Sequence, residues 1–336
     1  MNNTQVKKSF ERYRHLGLAV DPIHVGTGGA RLGRVDNTIV RDPATKIPRI
    51  PGSSLAGVLR TYVAMAQENG RNGSQRTRPY YPDCAGQGQG DQQGKGGHCG
   101  LPDCPVCTVF GFARGRGSAG GFAGLASFSD MHLLLFPVAT REGPVWVTSP
   151  GALRLAGVDE GIESAIKDES RVYRKNGQGQ NLNLGWLLLE GDNLGNELNG
   201  KLEAVPAYIR ECVAVVSDRL FTHVVNSSLE VRTSVAIDAS TGAAEEGALF
   251  TYEALPRTSV LGWDVICRFP GHFRIGSEEI TAVTSPEAVH DVVEKGHAYL
   301  EALGIGGMGT RGMGRLRVLD GSNGESKRDK AQEGKA

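Results

Sequence analysis

Apolar and polar residues alternate along parts of the chain and give way to glycine-rich polar gaps elsewhere. Residues 13–25 (Tyr-Arg-His-Leu-Gly-Leu-Ala-Val-Asp-Pro-Ile-His-Val) alternate well enough to predict a strand ending in the turn Gly26-Thr-Gly28-Gly29. The turn Ile47-Pro-Arg-Ile-Pro51-Gly52-Ser53-Ser54 then feeds a helix. Ser53 or Ser54 is its expected N-cap, and Leu55, Val58, Leu59, Tyr62 and Val63 fall on one face. Residues 68–100 are polar and glycine-rich, an excursion rather than a packed element. Order returns at Thr108-Val-Phe-Gly111, followed by predicted strands at Leu125–Val138 and Val145–Thr148. A helix is expected over 204–224 and a long hairpin over 229–258, with Asp238-Ala-Ser-Thr-Gly242 as its turn. A strand over 259–268, a helix over 285–303 opening on Ser285-Pro286, and a strand over 315–319 complete the pattern.

The order strand, helix, strands, later helix, strand predicts an α+β fold: an RRM-like (ferredoxin-like) core with large insertions. Residues 1–320 are expected to form one such domain, with insertions at 68–108 and 225–258. Residues 321–336 are charged and nearly without apolar side chains, which predicts a disordered tail. RRM-like sheets commonly bind single-stranded RNA, but a fold alone licenses no function.

Composition narrows the classes. The 47 glycines among 336 residues are about twice ordinary usage without a Gly-X-Y period, so collagen is excluded and many tight turns are expected. No apolar run approaches the ~20 residues of a membrane span, and Met1–Lys8 lacks the apolar core of a secretory leader. The expectation is a soluble cytoplasmic protein with no membrane partner. Net charge is zero, which excludes a wholesale polycation. Residues 1–80 nevertheless carry thirteen Lys/Arg against five Asp/Glu, a net +8 balanced by −8 in the rest. That asymmetry points to a polyanion-facing surface or to an ordinary solvated one.

Gly304-Ile-Gly306-Gly307-Met-Gly309 matches G-x-G-x-x-G, but a helix precedes it and a strand follows. A dinucleotide site needs the reverse order, so the match is spurious. With Arg311 among its glycines, the run instead suggests a loop whose backbone can approach phosphates.

Cys84, Cys99, Cys104 and Cys107 lie in one 24-residue window with the knuckle Cys104-Pro-Val-Cys107, and His98 is an alternate ligand. Residues 85–100 hold little that could order them without a metal, so structural Zn²⁺ is expected, against a glycine-rich loop with reduced thiols. Cys212, on a predicted helix, and Cys267, in a strand, read as core residues.

Several segments in order resemble the RAMP superfamily, the RNA-binding proteins of CRISPR effector complexes. They are Pro22–Gly28, Val35-Asp36-Asn37-Thr-Ile-Val-Arg41-Asp42, Ile50–Arg60, Gly124–Asp130 with Leu133–Val138 and Trp146–Pro150, Val231–Pro256, and Gly304–Gly314. Together they span roughly half the chain and are similar to backbone subunits of type III complexes, closest to the type III-B (Cmr) RNA-cleaving subunit.

The resemblance implies a subunit that stacks with copies of itself and other type III subunits along a CRISPR guide RNA. Such a subunit cuts complementary target RNA at regular intervals to 2′,3′-cyclic phosphate ends, with Mg²⁺ or another divalent ion. It places catalysis at Asp36, with His24 and Glu230 as helpers. RNA contacts fall on Arg31, Arg34, Arg41, Lys46, Ser53, Ser54, Arg60, Gly306, Gly307, Gly309, Arg311 and Gly312, and a thumb hairpin presents Ile237, Leu249 and Phe250 to the bases. Two alternatives remain: a non-catalytic guide-RNA scaffold, and the related type III-A (Csm) backbone subunit.

Overall fold

The computed structural model describes residues 9–28, 35–70, 79–85, 97–113, 120–158, 162–198, 200–245 and 248–319. Its first nine strands are β1 (Phe10–Ala19), β2 (Arg49–Ile50), β3 (Ala126–Phe128), β4 (Met131–Thr140), β5 (Gly143–Thr148), β6 (Val172–Arg174), β7 (Leu182–Leu184), β8 (Leu187–Leu189) and β9 (Gly191–Asn193). The rest are β10 (Val213–Val215), β11 (Glu230–Ser234), β12 (Phe250–Ala254), β13 (Val260–Arg268), β14 (Arg274–Ile275), β15 (Glu278–Glu279) and β16 (Leu316–Leu319). The helices are α1 (Gly52–Asn69), α2 (Pro105–Phe110), α3 (Pro150–Leu155), α4 (Ala207–Arg210), α5 (Asp218–Ser227), α6 (Pro286–Glu294) and α7 (His297–Leu303).

The chain falls into two compact units, each built from three stretches of sequence. A sheet unit comprises His15–Ile50, Met131–Trp263 and Leu303–Ala336, and a helical unit comprises Met1–Arg14, Pro51–Asp130 and Asp264–Ala302.

In the sheet unit the strand order is β16-β1-β13-β4-β5-β10-β6-β9. β16 pairs antiparallel with β1, and β4 pairs antiparallel with both β13 and β5. β10 runs parallel to β5. The apolar run Leu133-Leu-Leu-Phe136 is fully buried on β4, as a strand covered on both faces requires. A core of Leu16, Leu18, Leu135, Trp146, Tyr173 and Val260 packs with it.

The helix expected over 204–224 is not one element. Pro206 starts the single turn α4, the β-branched run Val213-Ala-Val-Val216 is wholly buried along β10, and Ser217 then caps α5 by accepting from Leu220 N–H. β-branched residues fit the pleated sheet better than a helix, and tertiary pairing decides. This also leaves Cys212 exposed rather than in the core, whereas Cys267 is buried as expected.

In the helical unit, Leu55, Leu59 and Val63 of α1 are buried. Neither Ser53 nor Ser54 caps that helix: the flanking residue is Pro51, and Gly52 N–H donates instead to Asp130 Oδ1 at 2.8 Å. Gly52 suits this junction because a Cβ there would meet Phe128 O at 2.5 Å. The helix expected over 285–303 breaks into α6 and α7 at Gly296, where an added Cβ would lie 2.9 Å from Leu59 Cδ2. Ser285 caps α6 as read, accepting from Ala288 N–H, with Pro286 in the first turn.

Candidate functional site

Asp36 follows the undescribed stretch 29–34, which contains the sequence-predicted Arg31 and Arg34, and is held against β12. Its Oδ2 accepts from Thr251 N–H at 2.7 Å and from Thr251 Oγ1 at 2.9 Å. Asn37 continues the contact, donating its N–H to Thr251 O and accepting from Glu253 N–H, both at 3.0 Å. The exposed Asp36 carboxylate is therefore fixed in orientation through one oxygen, and Oδ1 faces outward without a hydrogen bond among the described residues. The two Thr251 donors, backbone first, hold its carboxyl below the usual carboxylate range.

His24 is buried beside this loop. Its Nδ1 lies 2.6 Å from Glu253 O, and a carbonyl can only accept, so Nδ1 carries the proton. The other nitrogen, Nε2, faces Gly26, where an added Cβ would lie 3.0 Å from it. His24, Gly26, Thr27, Asn37, Thr38 and Met308 line a cleft of about 470 Å³. A comparable cleft of about 460 Å³, lined by Lys175, Glu203, Arg210 and Glu211, holds none of the sequence-predicted residues.

The glycine run closes the cleft from the opposite side. Gly307 N–H donates to His24 O at 2.8 Å, Ile305 N–H to Gly314 O at 2.8 Å, and Gly314 N–H to Pro22 O at 2.8 Å. Gly312 N–H goes to Gly309 O at 3.2 Å, so these amides serve the loop itself and are not offered to phosphates. The glycines act instead by letting backbone approach: Gly306 has φ +91°, and a Cβ there would lie 2.3 Å from His24 O. Arg311 sits over the Phe250 ring at 5.5 Å, with Nη1 3.4 Å from Ser234 Oγ, and remains exposed.

β11 and β12 pair in register from Glu230↔Ala254 to Ser234↔Phe250, and the arm extends to a bridge at Ile237↔Ala244. Ile237 and Leu249 are over half exposed, at 56% and 65%. Phe250 is half-buried beside Tyr252 and Met313, at the last pair of the ladder before the exposed outer arm. Glu230 is engaged by Arg232 Nε at 2.6 Å.

Two predicted phosphate contacts have internal partners. Arg41 donates Nη2 to Glu253 Oε2 at 2.8 Å, Nε to Asn226 Oδ1 at 2.9 Å and Nη1 to Ile39 O at 3.1 Å. It locks Glu253, whose carbonyl positions His24. Arg60, in the helical unit with Ser53 and Ser54, is likewise spent on internal acceptors. Lys46 is exposed, with Nζ 2.7 Å from Pro43 O. Thr251 and Glu253 escaped sequence reasoning. The alternation Thr251-Tyr252-Glu253 on a hairpin strand, two polar residues flanking a buried aromatic, was the available signal.

Also in the helical unit, Cys84, Cys99, Cys104 and Cys107 are all buried, with sulfurs within 4.8 Å of one another. Cys99 Sγ lies 3.6 Å from Cys107 Sγ, and Cys104 Sγ 3.9 Å from Cys84 Sγ. A tetrahedral ion with bonds of ~2.3 Å would hold sulfurs ~3.8 Å apart, so the donor set and spacing fit Zn²⁺. Hydrogen bonding from Cys104 pulls the Cys84 and Cys99 thiols down, while the Cys107 thiol is pushed up, first by Cys104. His98 is outside this group: Arg60 Nη2 donates to its Nδ1 at 2.8 Å.

The sequence profile of the RAMP superfamily matches residues 18–317. The chain belongs to the RAMP superfamily. Among curated relatives, the CRISPR system Cmr endoribonuclease Cmr4 of Pyrococcus furiosus is 27% identical over 262 residues, 70% of this chain and 74% of the relative. The CRISPR system Cms endoribonuclease Csm3 of Methanothermobacter thermautotrophicus is 30% identical over 107 residues, 32% of this chain but only 31% of the relative. Among solved structures, a subunit of the type III-B Cmr-beta complex bound to cognate target RNA superposes with a TM-score of 0.61 at 17% identity, covering 93% of this chain and 99% of the other. A crystal structure of Cmr4 gives 0.54 at 19% identity, covering 92% and 98%. The α+β architecture with its large mixed sheet is the fold of these RAMP proteins. No helix among the described residues is long and apolar enough to cross a membrane.

Proposed function

We propose that this chain is a backbone subunit of a type III, Cmr-like CRISPR complex that holds guide RNA and cleaves complementary target RNA at regular intervals. The observation that carries the proposal is the fixed Asp36 carboxylate beside the cleft residue Asn37, with one oxygen on Thr251 and the other without a partner among the described residues. The RAMP match and the relatives named as endoribonucleases support it. So does the strand order β16-β1-β13-β4 with α1 between β1 and β4 in the chain and α6–α7 between β13 and β16, the order of an RRM-like core.

In this reading the β11–β12 hairpin is a thumb whose exposed Val231, Val235, Ile237 and Leu249 enter the guide–target duplex. Unstacking one step costs a few kcal/mol, which apolar contact offsets. Lys46 and Arg311 meet phosphates, copies of the chain stack along the guide, and base pairing supplies sequence specificity.

A displaced target nucleotide places its 2′-hydroxyl in line with the adjacent phosphorus. The 2′-hydroxyl yields its proton to solvent as its oxygen attacks phosphorus, the P–O5′ bond breaks, and the leaving 5′-oxygen takes a proton from solvent, giving a 2′,3′-cyclic phosphate and a 5′-hydroxyl. With Oδ2 engaged by both Thr251 donors, Asp36 is read as orienting the substrate rather than deprotonating it. Mg²⁺ commonly binds through one or two carboxylates plus phosphates and water, and among the described residues Asp36 keeps one oxygen without a partner and belongs to no group of three protein ligands, which suits that mode. Bound there, Mg²⁺ would supply charge stabilisation at the phosphoryl oxygens. His24, oriented by Glu253 O, presents Nε2 to the cleft as a hydrogen-bond partner for ribose or phosphate.

The same reading gives the four cysteines a structural Zn²⁺ that orders their insertion. The test of the nuclease is cleavage of labelled complementary RNA by the guide-loaded complex with Asp36→Asn. Loss of cuts with binding intact supports it. Undiminished cutting rejects Asp36, and binding without cuts by either protein favours a scaffold.

A further inference from the structure

Arg60 reaches from α1 to the cysteine-bearing segments, and each of its three nitrogens donates one hydrogen bond. Nε donates to Cys84 O at 2.8 Å, Nη1 to Gly111 O at 2.7 Å and Nη2 to His98 Nδ1 at 2.8 Å. These acceptors come from the three segments that carry or flank the four cysteines, and all three are neutral. Among the described residues no carboxylate pairs with Arg60. A half-buried cation whose acceptors among the described residues are all neutral lacks a close counter-charge, a costly arrangement to the extent that it is desolvated. Four neutral thiols would not supply one. Four thiolates around a divalent ion carry a net charge of −2, and would.

We propose that Arg60 is the outer-sphere counter-charge and clasp of a zinc tetrathiolate formed by Cys84, Cys99, Cys104 and Cys107. This rests on the zinc reading above. Arg60 is a positioning residue: it grips the carbonyl of one ligand residue, the imidazole beside a second and the turn that ends α2. Thr61 adds a second tie from α1, with Oγ1 3.2 Å from Ala85 O. The centre is thereby linked to α1, the helix that opens at Gly52-Ser53-Ser54.

The proposal is tested on the full-length chain by zinc content and by competition with a chelating dye, comparing wild type, Arg60→Lys, Arg60→Gln and Cys104→Ser. Co²⁺-substituted protein reports tetrahedral thiolate ligation by its visible absorption. Loss of an outer-sphere partner of a metal ligand costs about 10–100-fold in metal affinity, so Arg60→Gln should weaken zinc by that much while keeping the tetrathiolate spectrum. Arg60→Lys keeps the charge but cannot span three acceptors, and should lose about tenfold or less. Wild-type affinity in Arg60→Gln overturns the proposal. So does equal loss in Lys and Gln, which would leave a geometric clasp without a charge role. Should Arg60→Gln accumulate unfolded, Arg60→Lys carries the test, and a loss as large as in Cys104→Ser refutes it. A wild-type protein that binds no zinc defeats the zinc reading itself, a result distinct from stoichiometric zinc that ignores Arg60.

Discussion

Arg41→Met separates two roles that the sequence cannot tell apart. If Arg41 grips an RNA phosphate, its loss weakens RNA binding and leaves the fold untouched. The structure ties it instead to Glu253, with side chains only 22% and 13% exposed. Removing one partner of a buried ion pair costs about 3–5 kcal/mol, and of a surface pair about 0–1 kcal/mol. This half-sheltered pair falls between, at about 2 kcal/mol. For a unit of this size each kcal/mol moves the melting temperature by about 2–4 °C, so a fall of about 4–8 °C is expected. Cleavage should also fall, because Glu253 holds Ile39 N–H through its carboxylate and His24 through its carbonyl. The assays are thermal unfolding and RNA binding across a salt series. An unchanged melting temperature together with a salt slope reduced by about one would refute the reasoning and restore Arg41 to the phosphate contacts.

Gly306→Ala would force a Cβ to within 2.3 Å of His24 O at φ +91°. It should displace the His24 strand end and cut cleavage at least tenfold, about 1.4 kcal/mol in the barrier, with guide binding largely kept; full activity in the variant would show that the loop tolerates a side chain there. Burial pushes the His297 imidazole down to about 4, so the folded state favours the neutral ring. The stability this contributes is complete above the ordinary value of ~6.5 and is lost as pH falls through about 4, on the order of 3 kcal/mol. His297→Phe should flatten that part of a denaturation-versus-pH curve, and an unchanged acid limb would contradict it.

The sheet was legible where one periodicity ruled. The alternation leading into β1 and the apolar run of β4 required little beyond hydrophobic patterning, although β1 begins at Phe10 and ends at Ala19, earlier than the alternation implied. Reading failed where tertiary partners overrode local preference. The stretch 204–224 has helical composition at both ends, but Val213–Val215 pairs between β5 and β6. α1 takes its cap from Asp130, a residue 78 positions away that no local rule exposes.

The candidate site followed the same division. Asp36, His24 and Gly306 lie in the same unit, His24 lining the cleft and the other two each adjoining a residue that does, and the cysteine spacing brought four sulfurs together. The cations were harder: Arg41 and Arg60 look like phosphate ligands in a basic segment, and only their acceptors reveal them as internal struts. Thr251 was invisible because its role exists only once β12 meets the Asp36 loop, 215 positions away in the chain.

Target cleavage by the guide-loaded complex, in Mg²⁺, with wild-type protein beside Asp36→Ala, tests the central claim most directly. The account predicts evenly spaced cuts bearing 2′,3′-cyclic phosphate ends, lost in the variant while target binding persists. Cuts of unchanged spacing and rate in Asp36→Ala would contradict it.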